Sequence, residues 1–205
     1  MKITGGIFKG RPLASPKGKG TRPTSAKLRE SIFALCADRI EGARFLDLFA
    51  GSGAMGLEAL SRGARHATFV ENRMAALHVI RRNITTLSVR ERATVLRADA
   101  RIALKRSEKH RARFDIIVAD PPYENREVTV AILSFLDNSS LLAGAGCFFL
   151  ETDIAPGSLP PLRTLLRNKE RRSGRTLLFL FRRPENRRFP PTTHREDRVL
   201  PGTSS

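Results

Sequence analysis

The sequence predicts an α/β fold: a mostly parallel, seven-stranded sheet with an antiparallel C-terminal hairpin and helices on both faces. Three observations carry that expectation. From Phe45 to Leu150, short apolar runs alternate with segments of helical period, and regular strand–helix alternation builds a parallel sheet covered on both sides. A glycine cluster, Gly51-Ser52-Gly53-Ala54-Met55-Gly56, lies at the first strand–helix junction. The run Phe114–Ala119 stops at Asp120-Pro121-Pro122-Tyr123. Neither proline can donate to a ladder and each fixes its own φ, so the chain must turn outward at the strand's carboxyl edge, where open α/β sheets hold ligands.

The elements follow in order. Ile3 to Leu13 is expected to form a small hairpin around Gly5-Gly6, and Ser15 to Thr24 a mobile basic loop. A helix comes next, capped by Thr24 or Ser25, with Leu28, Ile32, Leu35 and Cys36 on one face. The alternating part reads as strand Phe45–Phe49, helix Ala54–Ser61, strand Ala67–Val70 ending at Glu71, and helix Arg73–Leu87. Strand Ala93–Leu96, helix Ala100–Glu108, strand Phe114–Ala119, helix Glu127–Leu136 and strand Cys147–Leu150 complete it. Leu159 to Leu166 reads as a last helix, and Lys169–Arg172 with Arg175–Arg182 as a hairpin about Ser173-Gly174. From Arg183 the chain is rich in Pro and Arg and poor in large apolar groups, so a disordered tail is expected. The division is a basic N-terminal extension over 1–24, a main domain over 25–182 and a tail over 183–205.

A chain of 205 residues suits one domain with a sizeable core. Its net charge of +17 points to a polyanionic partner, nucleic acid first. Cys36 and Cys147 sit far apart in apolar stretches, with no Cys-x-x-Cys pair or Cys/His cluster, so no metal site is expected. Buried free thiols fit a reducing cytoplasm. The N-terminus lacks an apolar targeting core, and no apolar run approaches the ~18 residues of a membrane span. The four histidines show no ligand or triad spacing, and Ser52 lacks the spacing of a nucleophile elbow.

The glycine cluster spells G-x-G-x-x-G, with Glu71 at the end of the next strand. A dinucleotide site reads the same way, so the glycines alone leave the ligand open. Asp47 shifts the balance: a carboxylate just before the glycines would repel a pyrophosphate, whereas it could hold a cationic amino group. Glu71 is placed to accept from ribose hydroxyls and Asp99 to reach an adenine amine. Each acid also has a plainer reading: a turn carboxylate at Asp47, helix caps at Glu71 and Asp99. The Asp120–Tyr123 corner offers a carboxylate, proline carbonyls and a flat ring, a set suited to gripping a planar nucleobase amine.

With these residues in view, the chain resembles the class I S-adenosylmethionine (SAM)-dependent methyltransferases, which are Rossmann-like. More narrowly it resembles the RsmD family, which methylates the exocyclic N2 of one guanine in small-subunit (16S) ribosomal RNA. The resemblance rests on Gly5-Gly6, Gly10-Arg11, Thr21-Arg22-Pro23-Thr24 and Arg29-Glu30. The long block from Leu46 to Ala64, then Glu71, Asp99, Asp120-Pro121-Pro122-Tyr123 and Glu151 complete it; the arginine- and proline-rich tail departs from the pattern. The resemblance implies a SAM site lined by Asp47, Phe49, Gly51, Ser52, Gly53, Glu71, Asn72, Asp99 and Ala100. It implies catalytic roles for Asp120, Pro121, Pro122 and Tyr123, and RNA contacts by Arg11, Arg22, Thr24 and Arg126. The implied partner is small-subunit ribosomal RNA within an assembling subunit, met by a cytoplasmic monomer. Adenine N6, cytosine N4 or a protein glutamine would suit the same corner, and the glycine spelling still allows a nicotinamide-dependent oxidoreductase.

Overall fold

The computed structural model describes residues 1–16, 26–122, 125–173 and 176–184. Helices α1 (Ala26–Leu35), α2 (Ala54–Ser61), α3 (Met74–Thr86), α4 (Ala100–Lys109) and α5 (Arg126–Asn138) surround seven strands. These are β1 (Arg44–Asp47), β2 (His66–Glu71), β3 (Ala93–Arg97), β4 (Phe114–Ala119), β5 (Leu142–Thr152), β6 (Leu166–Ser173) and β7 (Thr176–Arg182). The sheet order is β3-β2-β1-β4-β5-β7-β6. The first five strands run parallel and β7 is antiparallel to both of its neighbours. This is the expected seven-stranded architecture with its C-terminal hairpin.

The strands are apolar on consecutive residues because both faces are covered. Phe45, Ile116 and Cys147 point into one cluster with Phe33, Leu57 and Ile80; Leu46, Ile117 and Phe148 point into the other with Leu104 and Leu133. The strand order reverses between β1 and β4, and a ligand crevice forms outside the carboxyl ends at such a switch point. Register fixes its members: Asp47 of β1 pairs with Val118 of β4, so Asp120 lies two residues farther along the adjacent strand.

Several boundaries differ from expectation for physical reasons. β1 ends at Asp47 because the chain then fans across the crevice: Leu48 donates to the Val118 carbonyl on one side and Ala50 to the Val70 carbonyl on the other. β5 begins at Leu142, five residues before Cys147. Its first half, Ala143-Gly144-Ala145-Gly146, carries no apolar signal, and the ladder shifts register there. No helix forms over Leu159–Leu166. Pro160 and Pro161 have no N–H to give a helix, and the buried carboxylate of Asp137 accepts from the backbone N–H groups of Arg163, Thr164 and Leu165 at 2.8, 2.8 and 2.7 Å. That grip extends the segment and feeds it into β6.

The N-terminal segment belongs to the core. Lys2 and Pro12 form an antiparallel bridge, the Ile3 N–H donates to the Arg11 carbonyl, and Ile3 and Leu13 are buried. It is fastened by Glu58 in α2, which accepts from the Thr4 backbone and hydroxyl and pairs with buried Arg29 and with Arg62. At the other end, order continues past Arg182: Arg183 is buried, donates from its backbone to Gly146 and from its guanidinium to the Leu136 carbonyl. The basic loop from residue 17 onward, the helix-cap candidates Thr24 and Ser25, and the tail from residue 185 lie outside the described residues. No helix among the described residues is long and apolar enough to cross a membrane.

Burial pushes the Asp137 carboxyl up, but the donations from Arg163, Leu165 and Thr164 outweigh it and hold the group below the usual carboxylate range. A carboxyl with a depressed native pKa stabilises the fold above its unfolded pKa, and that stability is lost as pH falls through the native one. Asp137→Ala strands three backbone donors and is expected to cost at least about 2 kcal/mol by chemical denaturation at pH 7. The difference from wild type should shrink on acidification; a pH-independent difference would contradict the assignment.

Candidate active site at the switch point

The carboxyl edge gathers four acids, each delivered by the end of a different strand: Asp47 from β1, Glu71 from β2, Asp99 after β3 and Asp120 after β4. The glycine loop lies between the first two. Gly51 and Gly53 have φ of +54° and +79°, a region that side chains with a Cβ rarely adopt. Gly56 is needed for a different reason. A Cβ there would stand 2.3 Å from the Phe69 ring, so the missing side chain is what lets α2 lie directly on β2.

Glu71 ties the loop down. One carboxylate oxygen accepts from the Gly51 N–H at 2.9 Å; the other accepts from the backbone of Asn72 and Arg73 and pairs with the Arg73 guanidinium. It therefore braces the turn that precedes α3 and clamps the glycine loop; it does not cap the helix, whose N-cap is Arg73. These contacts take up the about four acceptor positions of an ionised carboxylate, so a further hydroxyl would take the place of the half-exposed Arg73 guanidinium. Asp99 does cap a helix, α4, accepting from the Arg101 N–H and pairing with its guanidinium. The Arg101 hydrogen bond, against a small burial cost, holds its carboxyl below the usual range, so it stays charged at the β3 edge.

Asp47 is the unusual member. It is buried at 4% exposure, and its Oδ2 finds no hydrogen-bond partner among the described residues. Burial raises its pKa most, the backbone donations of Phe49 and Gly56 pull against that, and the Glu71 charge adds to the rise, leaving the group pushed up to about 7. A buried oxygen without a donor costs free energy and would be relieved by a cationic or N–H-bearing ligand. Gly51 leaves open space beside it, since a Cβ there would meet nothing nearer than the Phe49 carbonyl at 4.0 Å. An orphaned acid fits the ammonium of an amino acid, and Glu71 and Asp99 on the next two strands fit a nucleoside.

Of the other residues expected to line this site, Phe49, Ser52 and Asn72 are partly or fully accessible and Ala100 is buried at the start of α4. Asp120 is partly buried, Pro121 buried and Pro122 exposed. The Pro122 carbonyl accepts from the Asn125 N–H at 3.0 Å, so it is committed to the turn. Arg126 opens α5 beside this corner and donates to the Ser158 carbonyl; Arg11 instead reaches the Thr86 carbonyl at the end of α3. Tyr123, Arg22 and Thr24 lie outside the described residues. Sequence reasoning missed two amides. Asn83, buried in α3, donates to the Ser52 carbonyl and both donates to and accepts from Ala14, while Asn125 accepts from the Val128 N–H and starts α5. A buried Asn between Ile80 and Ile84 was the available signal for the first.

Residues 1–182 match the family model described as Conserved hypothetical protein 95. The chain is 33% identical over 186 residues to the protein named Ribosomal RNA small subunit methyltransferase D of Escherichia coli K12, covering 89% of this chain and 90% of that one. It is 32% identical over 171 residues to the protein of the same name from Haemophilus influenzae, covering 82% and 88%. Among solved structures, the Escherichia coli yhhF protein superposes with a TM-score of 0.80 at 32% identity, over 90% of this chain and 98% of that one.

Gly56→Ala is expected to overpack the α2–β2 contact and cost about 1–3 kcal/mol. Gly51→Ala, with open space but a left-handed backbone, should cost about 1–2 kcal/mol. Denaturation curves of the two variants, with the heat of ligand binding, separate the roles: Gly56→Ala should be the less stable. The reverse order would remove the packing explanation.

Proposed function

We propose a function from a plain premise: the chain belongs to the RsmD family of ribosomal RNA methyltransferases. It transfers a methyl group from SAM to the exocyclic N2 of a guanine in small-subunit ribosomal RNA, in the cytoplasm, on an assembling particle. The observation that carries this reading is the register of β1 on β4, which sets the orphaned Asp47 carboxylate and the Asp120-Pro121-Pro122 corner on adjacent strands of one crevice.

SAM supplies an electrophilic methyl group on a sulfonium when bound. Asp47, ionised, would hold its ammonium; Glu71 would accept from the ribose hydroxyls and Asp99 from the adenine amine. Gly51 and Gly53 give the backbone close approach, and Phe49, Ser52, Asn72 and Ala100 complete the lining. A pyrophosphate in the same place would meet the Asp47 charge, which disfavours the nicotinamide reading.

The rest is done by the Asp-Pro-Pro corner. A guanine amine is a weak nucleophile because its lone pair is delocalised into the ring. Asp120 and the Pro121 carbonyl each accept one of its N–H bonds, the Pro122 carbonyl being already engaged. With both N–H bonds held, the lone pair is aimed at the methyl carbon and the nitrogen moves toward tetrahedral geometry. Orientation of this kind is worth roughly 7–11 kcal/mol. Bound SAM would supply the methyl group with its sulfonium sulfur as the leaving group, and Asp120 or water would take the proton shed by the amine. Tyr123 stacks on the extruded base, worth on the order of 1–3 kcal/mol, which offsets part of the few kcal/mol needed to unstack it.

Asp120→Ala should lower methyl transfer at least about 100-fold in a labelled-methyl assay while calorimetry shows unchanged SAM affinity; a fully active variant would sink the mechanism. A second outcome follows from Asp47, at a pKa of about 7. The free protein must lose a proton there before it can hold an ammonium. SAM affinity should therefore fall about tenfold per unit below pH 7, with a proton released on binding, and Asp47→Asn should bind weakly at every pH. Affinity flat from pH 5.5 to 8 in the wild type would contradict the role.

A further inference from the structure

β6 is the outermost strand of the sheet, paired only with β7. From Leu166 to Arg172 its side chains are exposed, and four are cations: Arg167, Lys169, Arg171 and Arg172. Register places them relative to the reaction. Ala119, the residue before Asp120, pairs with Leu150, Leu150 with Phe179 and Phe179 with Glu170. Two residues farther in the direction in which β4 points, Thr152, Leu177 and Arg172 form the next row. Arg172 is thus level with the Asp-Pro-Pro corner. It stands three strand steps away, about 14 Å at ordinary strand spacing.

The cations are arranged as well as numerous. Side chains alternate along a strand, so Lys169 and Arg171 share one face while the strand's one acid, Glu170, takes the other with Arg172. The Arg171 guanidinium donates to the Ser31 hydroxyl of α1 at 2.7 Å, and the Arg167 guanidinium sits 6.0 Å from the centre of the Phe179 ring. Both contacts hold long side chains in place before a ligand arrives. An outermost strand also turns its unpaired backbone N–H groups outward, and backbone N–H groups are ordinary phosphate donors.

We propose that β6 is the phosphate track for the RNA strand flanking the target base: Lys169, Arg171 and Arg172 take successive backbone phosphates and lead the strand to the Asp120 corner. The proposal rests on the methyltransferase reading for the identity of the polyanion. Charges on an edge strand also guard against edge-to-edge aggregation. That role alone asks nothing of RNA affinity, and salt dependence tells the two apart.

The test compares two variants of equal charge change. One is Lys169→Gln/Arg171→Gln/Arg172→Gln. The other is Lys105→Gln/Arg106→Gln/Lys109→Gln, in the later turns of α4 that lead toward the start of β4. Binding of a labelled small-subunit RNA fragment is titrated across salt, alongside methyl-transfer kinetics, SAM calorimetry and unfolding midpoints. The β6 variant is expected to keep its SAM affinity and kcat, to raise KM for RNA about 10–100-fold, and to flatten the plot of log affinity against log salt by about 2, at about 0.7 per lost phosphate. The α4 variant should leave KM and slope near wild type. If the triple change unfolds the protein, Lys169→Gln/Arg172→Gln leaves the Ser31 contact intact and should flatten the slope by about 1.4. A wild-type slope in the β6 variants, or an equal loss in the α4 variant, overturns the track. Failure of the methyltransferase reading shows separately, as a wild-type protein that binds RNA with the expected slope but transfers no methyl group to it.

Discussion

The parallel register of β1 against β4 is the constraint on which the site depends. Pairing Asp47 with Val118 sets the distance between the acid before the glycine loop and the corner after β4, and it does so with a buried ladder. The pairing lies where strand order reverses, the place where open α/β sheets hold their ligands. The two apolar clusters on the faces of the sheet make that register costly to change, since a slip of one residue would turn Phe45 and Leu46 to the wrong sides. Rigidity that begins as hydrophobic burial thus fixes Asp47 and the Asp120 corner relative to each other.

Two buried aspartates show how environment sets the state of an acid. Asp137 and Asp47 are comparably inaccessible, yet their carboxyls are displaced in opposite directions. Asp137 receives three backbone donors from one extended segment and is satisfied; its charge is a fastening. Asp47 receives two donors, has an oxygen left over and faces the Glu71 charge. The empty protein is less stable for keeping it ionised, and a cationic ligand would remove that penalty.

Much of this was legible in the sequence. Parallel strands covered on both faces are unbroken apolar runs, so Phe114–Ala119 is the same strand by sequence and by structure. The glycine cluster and the acids at strand ends could be placed because each lies at a junction that the alternation defines. Two of the failures come from long-range hydrogen bonding. Leu159, Leu162 and Leu165 recur at helical spacing, but Asp137, more than twenty residues upstream, captures the backbone of Arg163, Thr164 and Leu165. Asn83 holds Ser52 and Ala14 from thirty-one and sixty-nine residues away, and no local pattern announces that. The start of β5 was hidden by its Ala-Gly composition, because packing surface, not backbone pairing, is what a hydrophobic pattern reports.

The central claim is that the corner after β4 presents a guanine amine to a methyl donor held over the glycine loop. The most direct measurement is transfer of labelled methyl groups from SAM to small-subunit particles that lack the modification, followed by nucleoside mapping. The expected result is N2-methylguanosine at a single position. Label in an adenine, in a cytosine or in protein, or no label at all, would contradict the account.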